Sequence, residues 1–317
     1  MMEDVNIFIP SYHRPDNIRT AKYFVKKGWQ PEKIHVFIDS EADDKAEYDM
    51  NCAKLGVQLH IFDMDEARRR YDYVHRPSPS RRSAGQARNM FQDFAACMGL
   101  DFYCVIDDDT NHYQVRFPNR KCKMADVEDL RGVFMYVEEF MRRQHIGLFG
   151  LPQTGDFIGG VRGRLYIPKV MNTTFYLLPY VYRGERGVQD DDTSLFAGVM
   201  NEGLFTGSVG CGLALNQAQS AKQPGGLTDL YNECKLLNKA LVCPIQFPSA
   251  VFAEKQKLNG ARLHHHIVNK FLFPRVLKVQ PTDRSNVAWD TYPEDYPFTN
   301  EPKRDRHGRE KVKDKGE

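Results

Sequence analysis

The stretch FYCVIDDD at residues 102–109 decides how the fold of this chain is interpreted. Apolar and aromatic residues from Phe102 to Ile106 lead directly into three aspartates, a pattern typical of a buried strand whose carboxyl end opens onto a site. Ligands of open α/β sheets bind at that edge. Neighbouring carboxylates repel one another, and Mg²⁺ or Mn²⁺ would relieve this repulsion while bridging the carboxylates to a diphosphate. An acidic turn with helix-capping aspartates explains the same residues equally well.

Strand and helix patterns alternate ahead of this stretch. Strand-like runs occupy residues 5–9, 33–38 and 57–62, and helix-like segments occupy residues 17–27, 41–55 and 84–98. This alternation predicts an α/β fold with a mostly parallel central sheet and helices on both faces. The polar, basic segment 65–82 is too long for an ordinary turn, so we expect a functional or mobile loop there.

After the triple aspartate the pattern becomes less regular. The predicted elements are a helix at 127–141, a strand at 147–151, strands within 166–182, a helix from 190–192 to about 201, and a strand at 205–215. We expect one compact domain up to residue 280 and a C-terminal extension at 281–317 with a flexible basic tail.

The composition is that of a globular protein. The chain has 317 residues, of which 41% are hydrophobic and 27% charged, and its net charge of +2 gives no reason to expect a polyelectrolyte partner. Seven cysteines without CxxC spacing favour reduced thiols over a disulfide framework or a zinc site. The acidic start MMED does not resemble a signal peptide, and no apolar run reaches the length of a membrane span. We therefore expect a cytoplasmic protein without membrane contact or an obligate protein partner.

Polar residues that follow the first two predicted strands are candidates for binding a nucleotide. They would share one edge of the sheet, where a nucleotide can lie across the strand ends. The candidates are Pro10, Ser11, Tyr12 and Arg14 after the first strand, Asp39 after the second, and Arg88 on the helix at 84–98. Arg88 offers a planar donor fork to a base or diphosphate, although an arginine on a helix surface is common. Neither GxGxxG nor a P-loop is present.

Two further clusters carry groups that can take part in catalysis or metal binding. Asp190 and Asp192 are candidates for a general base, although aspartates in a first helical turn also suit the helix dipole. The run His264, His265, His266 can bind a metal through alternate residues of an extended segment or through His265 alone. A polar surface run explains these histidines equally well.

Basic residues cluster in the 65–82 segment. Arg68 and Arg69 form one cluster with Arg70, and Arg81 and Arg82 form another. Such clusters are usually solvated faces, yet basic loops beside a site also suit contact with a nucleic acid.

The order of these motifs resembles that of a GT-A glycosyltransferase. The resemblance implies a Rossmann-like α/β fold in which a nucleotide-sugar lies over the sheet and a DxD motif holds Mn²⁺ or Mg²⁺. Asp107 and Asp109 would then bind the metal, and Asp107 and Asp108 would contact the nucleotide-sugar. Asp190 or Asp192 would match the later ED-type motif that faces the acceptor, and one of the three histidines would complete the metal shell. Gln189 stands where ED-type motifs carry glutamate, which leaves open which aspartate acts.

A closer similarity extends over residues 5–275. The chain is similar here to the TET-associated glycosyltransferases, which are found mainly in bacteriophages. The segments that carry the similarity are FIPSYHRPDN, SAGQARN, VIDDDT, QDDDTSL, PGGLTDLY and ARLHHH. That family implies a UDP-sugar donor and, as acceptor, a 5-hydroxymethylpyrimidine such as 5-hydroxymethylcytosine in DNA. It also implies DNA as partner, with Arg68, Arg69, Arg81 and Arg82 as contacts, and the host cytoplasm as location.

The same similarity suggests how the domain is divided. Residues 1–110 would form a nucleotide-binding half and residues 111–280 an acceptor-binding half. The alternatives are a glycosyltransferase that acts on a glycan or protein, a metal-dependent nucleotidyltransferase, and a non-enzymatic α/β binding module.

Overall fold

The computed structural model describes residues 4–71, 84–116, 124–152, 166–167, 173–180, 191–209, 213–217, 240–256 and 262–272. All of these belong to one compact unit, Met1–Lys278, while a second unit, Val279–Glu317, lies outside the described residues. The division into two halves and an extension at 281–317 therefore stays a prediction.

The strands agree in the first half of the chain with those expected from the alternation. They are β1 (Ile7–Pro10), β2 (Ile34–Asp39), β3 (Gln58–Phe62), β4 (Phe102–Val105), β5 (Thr110–Arg116), β6 (Met124–Asp126), β7 (Ile146–Leu151), β8 (Tyr166–Ile167), β9 (Thr173–Leu177), β10 (Phe205–Val209), β11 (Leu213–Gln217), β12 (Val251–Gln256) and β13 (Arg262–Ile267). The helices are α1 (Arg19–Lys26), α2 (Lys45–Leu55), α3 (Met64–Arg70), α4 (Ala84–Cys97), α5 (Leu130–Gln144), α6 (Asp191–Asn201) and α7 (Asn269–Leu272).

The central sheet has eight strands in the order β3-β2-β1-β4-β9-β7-β10-β8. The pairs β3-β2, β2-β1, β1-β4 and β7-β10 are parallel, whereas β9 runs antiparallel to β4 and β7, and β8 runs antiparallel to β10. The predicted mostly parallel sheet is confirmed. A smaller sheet, β11-β5-β6, and the hairpin β12-β13 complete the strands of the described residues.

Helices cover both faces of the central sheet, as predicted. Because side chains alternate along a strand, Ile7 and Ile9 of β1 pack into one apolar cluster while Phe8 packs into another. The first cluster includes apolar side chains of α1, α2 and α5, and the second includes those of α4 and α6. Burial on both faces explains why the parallel strands are continuous apolar runs.

Two sequence-based expectations about secondary structure are wrong. In the segment predicted as a loop at 65–82, residues 65–70 belong to the helix α3, and residues 72–82 lie outside the described residues. The helix buries Met64 and Ala67, and its N-cap Asp63 accepts a 2.8 Å hydrogen bond from the Asp65 amide. The single strand predicted at 205–215 consists of two strands in different sheets, β10 and β11. The helix α3 was missed because most of its residues are charged and its apolar stripe is short. The break between β10 and β11 was missed because an apolar pattern does not show where the chain passes from one sheet to another.

A pair of imidazoles, His35 fully buried on β2 and His60 partly buried on β3, extends to Asn6 just ahead of β1. Nε2 of His35 lies 3.0 Å from the Asn6 side-chain oxygen, and Nδ1 of His35 lies 2.9 Å from Nε2 of His60. Since the Asn6 oxygen can only accept, Nε2 of His35 donates to it and Nδ1 accepts from His60. His35 is 2% exposed, so both rings are held in their neutral forms by this arrangement.

Acid is expected to destabilise the fold through this pair. Burial, reinforced by His60, lowers the pKa of His35 to about 3, and burial also lowers the pKa of His60. The unfolded chain, with histidine pKa values near 6.5, binds protons more readily, so stability is complete above about pH 6.5 and falls as the pH drops toward 3. Urea unfolding should show a loss on the order of 2 kcal/mol from His35 between neutral pH and about pH 5.

A glutamine at position 35 provides the comparison for this pH dependence. Glutamine can keep hydrogen bonds without titrating, so His35→Gln should flatten the dependence, whereas the half-exposed His266→Gln should not. A loss of equal steepness in His35→Gln would assign the acid sensitivity to other groups.

Candidate functional site

The triple aspartate lies beside the loop that follows β1. Parallel pairing aligns Phe8 of β1 with Val105 of β4, so both strands end at the same edge of the sheet. Thr20, at the start of α1, fixes the backbone there: its hydroxyl donates to the Asp107 carbonyl at 2.5 Å, and its amide donates to the Asp108 carbonyl at 3.1 Å. Thr20 thus ties the acidic turn to α1, and the acidic turn and the loop after β1 share one edge of the sheet, as the sequence predicted.

Both oxygens of Asp108 accept hydrogen bonds from the loop after β1. The Ser11 hydroxyl donates to Oδ2 at 2.6 Å, and Nη1 of Arg14 donates to Oδ1 at 2.8 Å. The Arg14 and Asp108 side chains are only 8% and 6% exposed. Burial raises the pKa of Asp108, while Arg14 and Ser11 act in the opposite direction. Asp108 thus joins the two strand ends through a buried ion pair.

Asp107 is the most exposed carboxylate of the three. Its side chain is 32% exposed, and its Oδ1 accepts a 3.0 Å hydrogen bond from Nη2 of Arg88. Arg88 extends from α4, which covers the second face of the sheet. The structure therefore brings Arg88 to the acidic turn, and its contact with a diphosphate stays a prediction.

Asp109 is buried without adequate compensation for its charge. Burial, together with repulsion from Asp107 and Asp108, raises its pKa to about 7, and Arg14 offsets this only in part because its Nη1 lies 3.8 Å from Oδ2. The other oxygen, Oδ1, is buried and has no hydrogen-bond partner. A buried carboxylate in this state favours a proton or a cation, so the donor set fits a divalent metal at Asp109.

The remaining nucleotide candidates lie along the same edge. Asp39, at the end of β2, is 6% exposed, and its Oδ1 accepts from the Glu41 amide at 3.3 Å. Pro10 ends β1, and the ring of the partly exposed Tyr12 lies 4.0 Å from that of His13, between ring centroids. These residues lie at the ends of β1 and β2, and their contact with a nucleotide stays a prediction.

Sequence reasoning missed two features of this edge. The first is Tyr48 of α2, a fully buried residue whose hydroxyl lies 2.7 Å from the Ser11 hydroxyl. The second is a group formed by His13, Asp43 and Asp44, in which Nδ1 of His13 is 3.3 Å from an oxygen of each aspartate. No motif or spacing marks either feature, because both join the β1 loop to α2 across more than 25 residues of sequence.

The His13 group is the one set of three or more potential metal-ligating side chains with ligand atoms within 4.8 Å in the part of the chain that the structure describes. Asp43 is 85% exposed, so its contact with His13 is one between polar side chains at the surface. The triple aspartate and the three histidines do not meet this distance criterion with one another.

The three histidines lie on β13, and the hairpin separates them onto two faces. His264 and His266 face the same side as Glu254 of β12, and Nδ1 of His266 lies 3.1 Å from Oε1 of Glu254. His265 is on the other face with Val251, which is 2% exposed and belongs to the core. The segment is extended, as predicted, and the part of any of these histidines in metal binding stays a prediction.

The predicted general bases are only partly described. Asp191 and Asp192 open α6, as expected, and Asp192 is partly exposed, whereas Asp190 lies outside the described residues. α6 is oriented by the Ser194 hydroxyl, which donates to the Gln246 side-chain oxygen at 2.7 Å.

The basic cluster on α3 is partly neutralised by its own helix. Arg68 lies 3.5 Å from Asp65, and Arg69 lies 3.7 Å from Asp63 with 69% of its side chain exposed. Arg81 and Arg82 lie outside the described residues.

The family model of the TET-associated glycosyltransferases matches residues 5–206, a span that includes the β1 loop, the triple aspartate and α6. The chain belongs to this family. It is therefore a glycosyltransferase, and membership together with the mostly parallel sheet confirms the predicted GT-A fold. A comparison of this chain with curated proteins found no match.

Solved structures similar to this glycosyltransferase include two of glucosyl-3-phosphoglycerate synthase from Mycobacterium tuberculosis. One, in complex with Mg²⁺ and UDP, is 13% identical, covers 84% of this chain and 87% of that chain, and has a TM-score of 0.42. The other, in complex with Mn²⁺, UDP-glucose and phosphoglyceric acid, is 12% identical and has a TM-score of 0.41. The match covers 84% of this chain and 87% of that chain. At these scores the likeness carries no inference about the site. Among the described residues, no helix is long and apolar enough to cross a membrane.

Proposed function

We propose that this enzyme transfers a sugar from a nucleoside diphosphate sugar, with UDP as the expected nucleotide, to a hydroxyl group on DNA. The observation that carries the donor half of this proposal is Asp109, a buried carboxylate with an unpartnered oxygen at the carboxyl edge of the sheet. Arg14 lies beside Asp109 and Arg88 lies beside the neighbouring Asp107, which suits a diphosphate that binds together with a cation.

Asp107 and Asp109 are the residues that would hold Mn²⁺ or Mg²⁺. When bound, the metal supplies Lewis-acid neutralisation of the charge that develops on the diphosphate. His264, His265 and His266 remain the candidates for a further ligand, and the hairpin offers either the pair His264 and His266 or His265. The oxygen ligands of the aspartates match the preference of both cations.

Protein side chains would orient the donor around this point. Arg88 contacts Asp107, so its guanidinium would lie beside a diphosphate whose metal Asp107 holds. Tyr12 and Asp39 lie at the neighbouring strand ends. Water is kept from the inner part of the site by the burial of Ser11, Asp108 and Asp109. If the reaction inverts configuration, Asp190 or Asp192 would remove the proton of the acceptor hydroxyl.

The proposed acceptor is 5-hydroxymethylpyrimidine in DNA, such as 5-hydroxymethylcytosine. Family membership supports this acceptor, and Arg69 on α3 offers an exposed cation to a phosphate. The modified base is reached in the major groove or after it is flipped out of the stack.

Mass spectrometry of hydroxymethylated DNA tests both halves of the proposal. The DNA is incubated with the protein, Mn²⁺ and a panel of nucleotide sugars, and unmodified DNA is the matched control. A mass gain of one sugar on the hydroxymethylated strand alone is expected. Transfer to glycans or peptides without transfer to DNA would overturn the acceptor, and the absence of both transfer and donor hydrolysis would overturn the donor site.

Charge removal on α3 should weaken DNA binding in a salt-dependent manner. Replacing Arg68 and Arg69 with glutamine removes two cations, so the slope of log K against log salt should fall by up to about 1.8 for two phosphate contacts. The matched control is Arg143→Gln, an exposed arginine paired within its own helix α5. A slope identical to that of the wild type would exclude α3 from the DNA-binding surface.

A further inference from the structure

The hydroxyl of Tyr48 links two residues of the loop after β1. It accepts a 2.9 Å hydrogen bond from the Arg14 amide and lies 2.7 Å from the Ser11 hydroxyl. Ser11 in turn donates to Oδ2 of Asp108 at 2.6 Å. Because a hydroxyl has one proton, Ser11 can donate to Asp108 only while Tyr48 donates to Ser11. The hydrogen bonds therefore run in one direction, from Arg14 through Tyr48 and Ser11 to Asp108.

The side chain of Arg14 closes this series of hydrogen bonds into a ring. Its Nη1 donates to Oδ1 of Asp108, the oxygen that Ser11 does not use. Tyr48 and Asp108 are 0% and 5% exposed, so water does not compete for these bonds. Hydrogen bonds in such a buried network polarise and strengthen one another.

The loop depends on this hydroxyl because its own backbone is irregular. His13 adopts a left-handed conformation with φ of 52°, which is uncommon for a residue other than glycine. Within this loop, the Ser11 amide donates to the Phe37 carbonyl of β2. The Arg14 amide donates to the Tyr48 hydroxyl and not to a strand carbonyl. A side-chain hydroxyl from α2 thus replaces a strand as the partner that fixes the loop.

We propose that Tyr48 is a positioning residue, which acts through Ser11, Arg14 and Asp108 to hold the nucleotide-binding loop against the metal-binding carboxylates. The three aspartates then have different tasks. Asp108 anchors the loop through both its oxygens, while Asp107 and Asp109 face the diphosphate and its cation. This inference rests on the proposed nucleotide-sugar site.

Tyr48→Phe tests the proposal, because it removes the hydroxyl and keeps the buried ring. The matched control is Tyr113→Phe, since Tyr113 is also fully buried and its hydroxyl lies 2.9 Å from that of Thr173. Both variants should lose similar thermal stability. The dissociation constant for UDP with Mn²⁺, measured by calorimetry, should rise about tenfold in Tyr48→Phe only, since two hydrogen bonds to the loop are lost.

Kinetics and hydrogen exchange separate positioning from general stability. In Tyr48→Phe the KM for the nucleotide sugar should rise about tenfold while kcat changes less than about threefold, because the loop binds the donor. Amides of residues 11–14 should exchange faster than in the wild type and in Tyr113→Phe.

Each outcome decides between the inference and the function on which it rests. Wild-type affinity in Tyr48→Phe, or an equal loss in Tyr113→Phe, overturns the positioning role. If the wild type itself binds no nucleotide with Mn²⁺, the proposed donor site fails. Hydrogen exchange in Tyr48→Phe then tests the positioning role by itself: unchanged exchange at residues 11–14 overturns it, and faster exchange supports it.

Discussion

Asp109→Ala is expected to lower kcat for sugar transfer about a thousandfold, which corresponds to roughly 4 kcal/mol of lost transition-state stabilisation. The reason is the position of this carboxylate, which is buried beside Asp107 and has one unpartnered oxygen. Transfer rates at saturating Mn²⁺ measure the effect. Asp101→Ala is the matched control, since Asp101 precedes the same strand at its other end, where it pairs with Arg142.

The stability of an Asp109 variant should change in the direction opposite to its activity. The pKa of Asp109 is about 7 in the folded protein, above the roughly 3.9 of an unfolded chain, so its ionisation destabilises the metal-free fold as the pH rises through this range. Asp109→Asn should therefore unfold at a higher temperature than the wild type near pH 8 without metal, although it is inactive. Full activity in either variant would end the assignment of the metal to Asp109.

Arg14→Ala is expected to lower the free energy of unfolding by about 3 kcal/mol, because it leaves the buried Asp108 without its charged partner. Urea unfolding measures this loss. The exposed pair of Arg142 and Asp101 is the matched control: Arg142 is 40% exposed, and Arg142→Ala should cost no more than about 1 kcal/mol.

A second substitution shows whether the charge or the packing is responsible. Adding Asp108→Asn to Arg14→Ala removes the unpaired carboxylate, so part of the lost stability should return. A loss below about 1 kcal/mol in Arg14→Ala, or no recovery in the double variant, contradicts a structural role for the buried pair.

The sequence predicted the edge of the sheet on which the site lies, because that edge follows from local patterns. An apolar run that ends in carboxylates marks a strand end, and alternation with helices places several such ends together. Ser11 and Arg14 were expected at this edge for this reason, and the structure places both against the triple aspartate. Arg88 was a candidate only as a donor fork on a helix, and it too contacts the acidic turn.

The different environments of the three aspartates were not predictable from sequence. Adjacent identical residues carry no local signal of which one meets an arginine, and the answer depends on how β1 and β4 pair. Tyr48 was missed for a related reason, since a tyrosine in a helix usually fills the core. The helix α3 was missed because its buried stripe consists of only Met64 and Ala67.

The acidic turn is also a short connection between two sheets. β4 of the central sheet ends at Val105 and β5 of the smaller sheet begins at Thr110, so residues 106–109 form the whole connection. If a residue inserted in the turn shifted β5 by one position against β6 and β11, the alternation along β5 would reverse and the buried Tyr113 would turn toward solvent. Besides carrying the three carboxylates, the turn therefore helps to set which side chains of β5 are buried, so its length is constrained as well as its side chains.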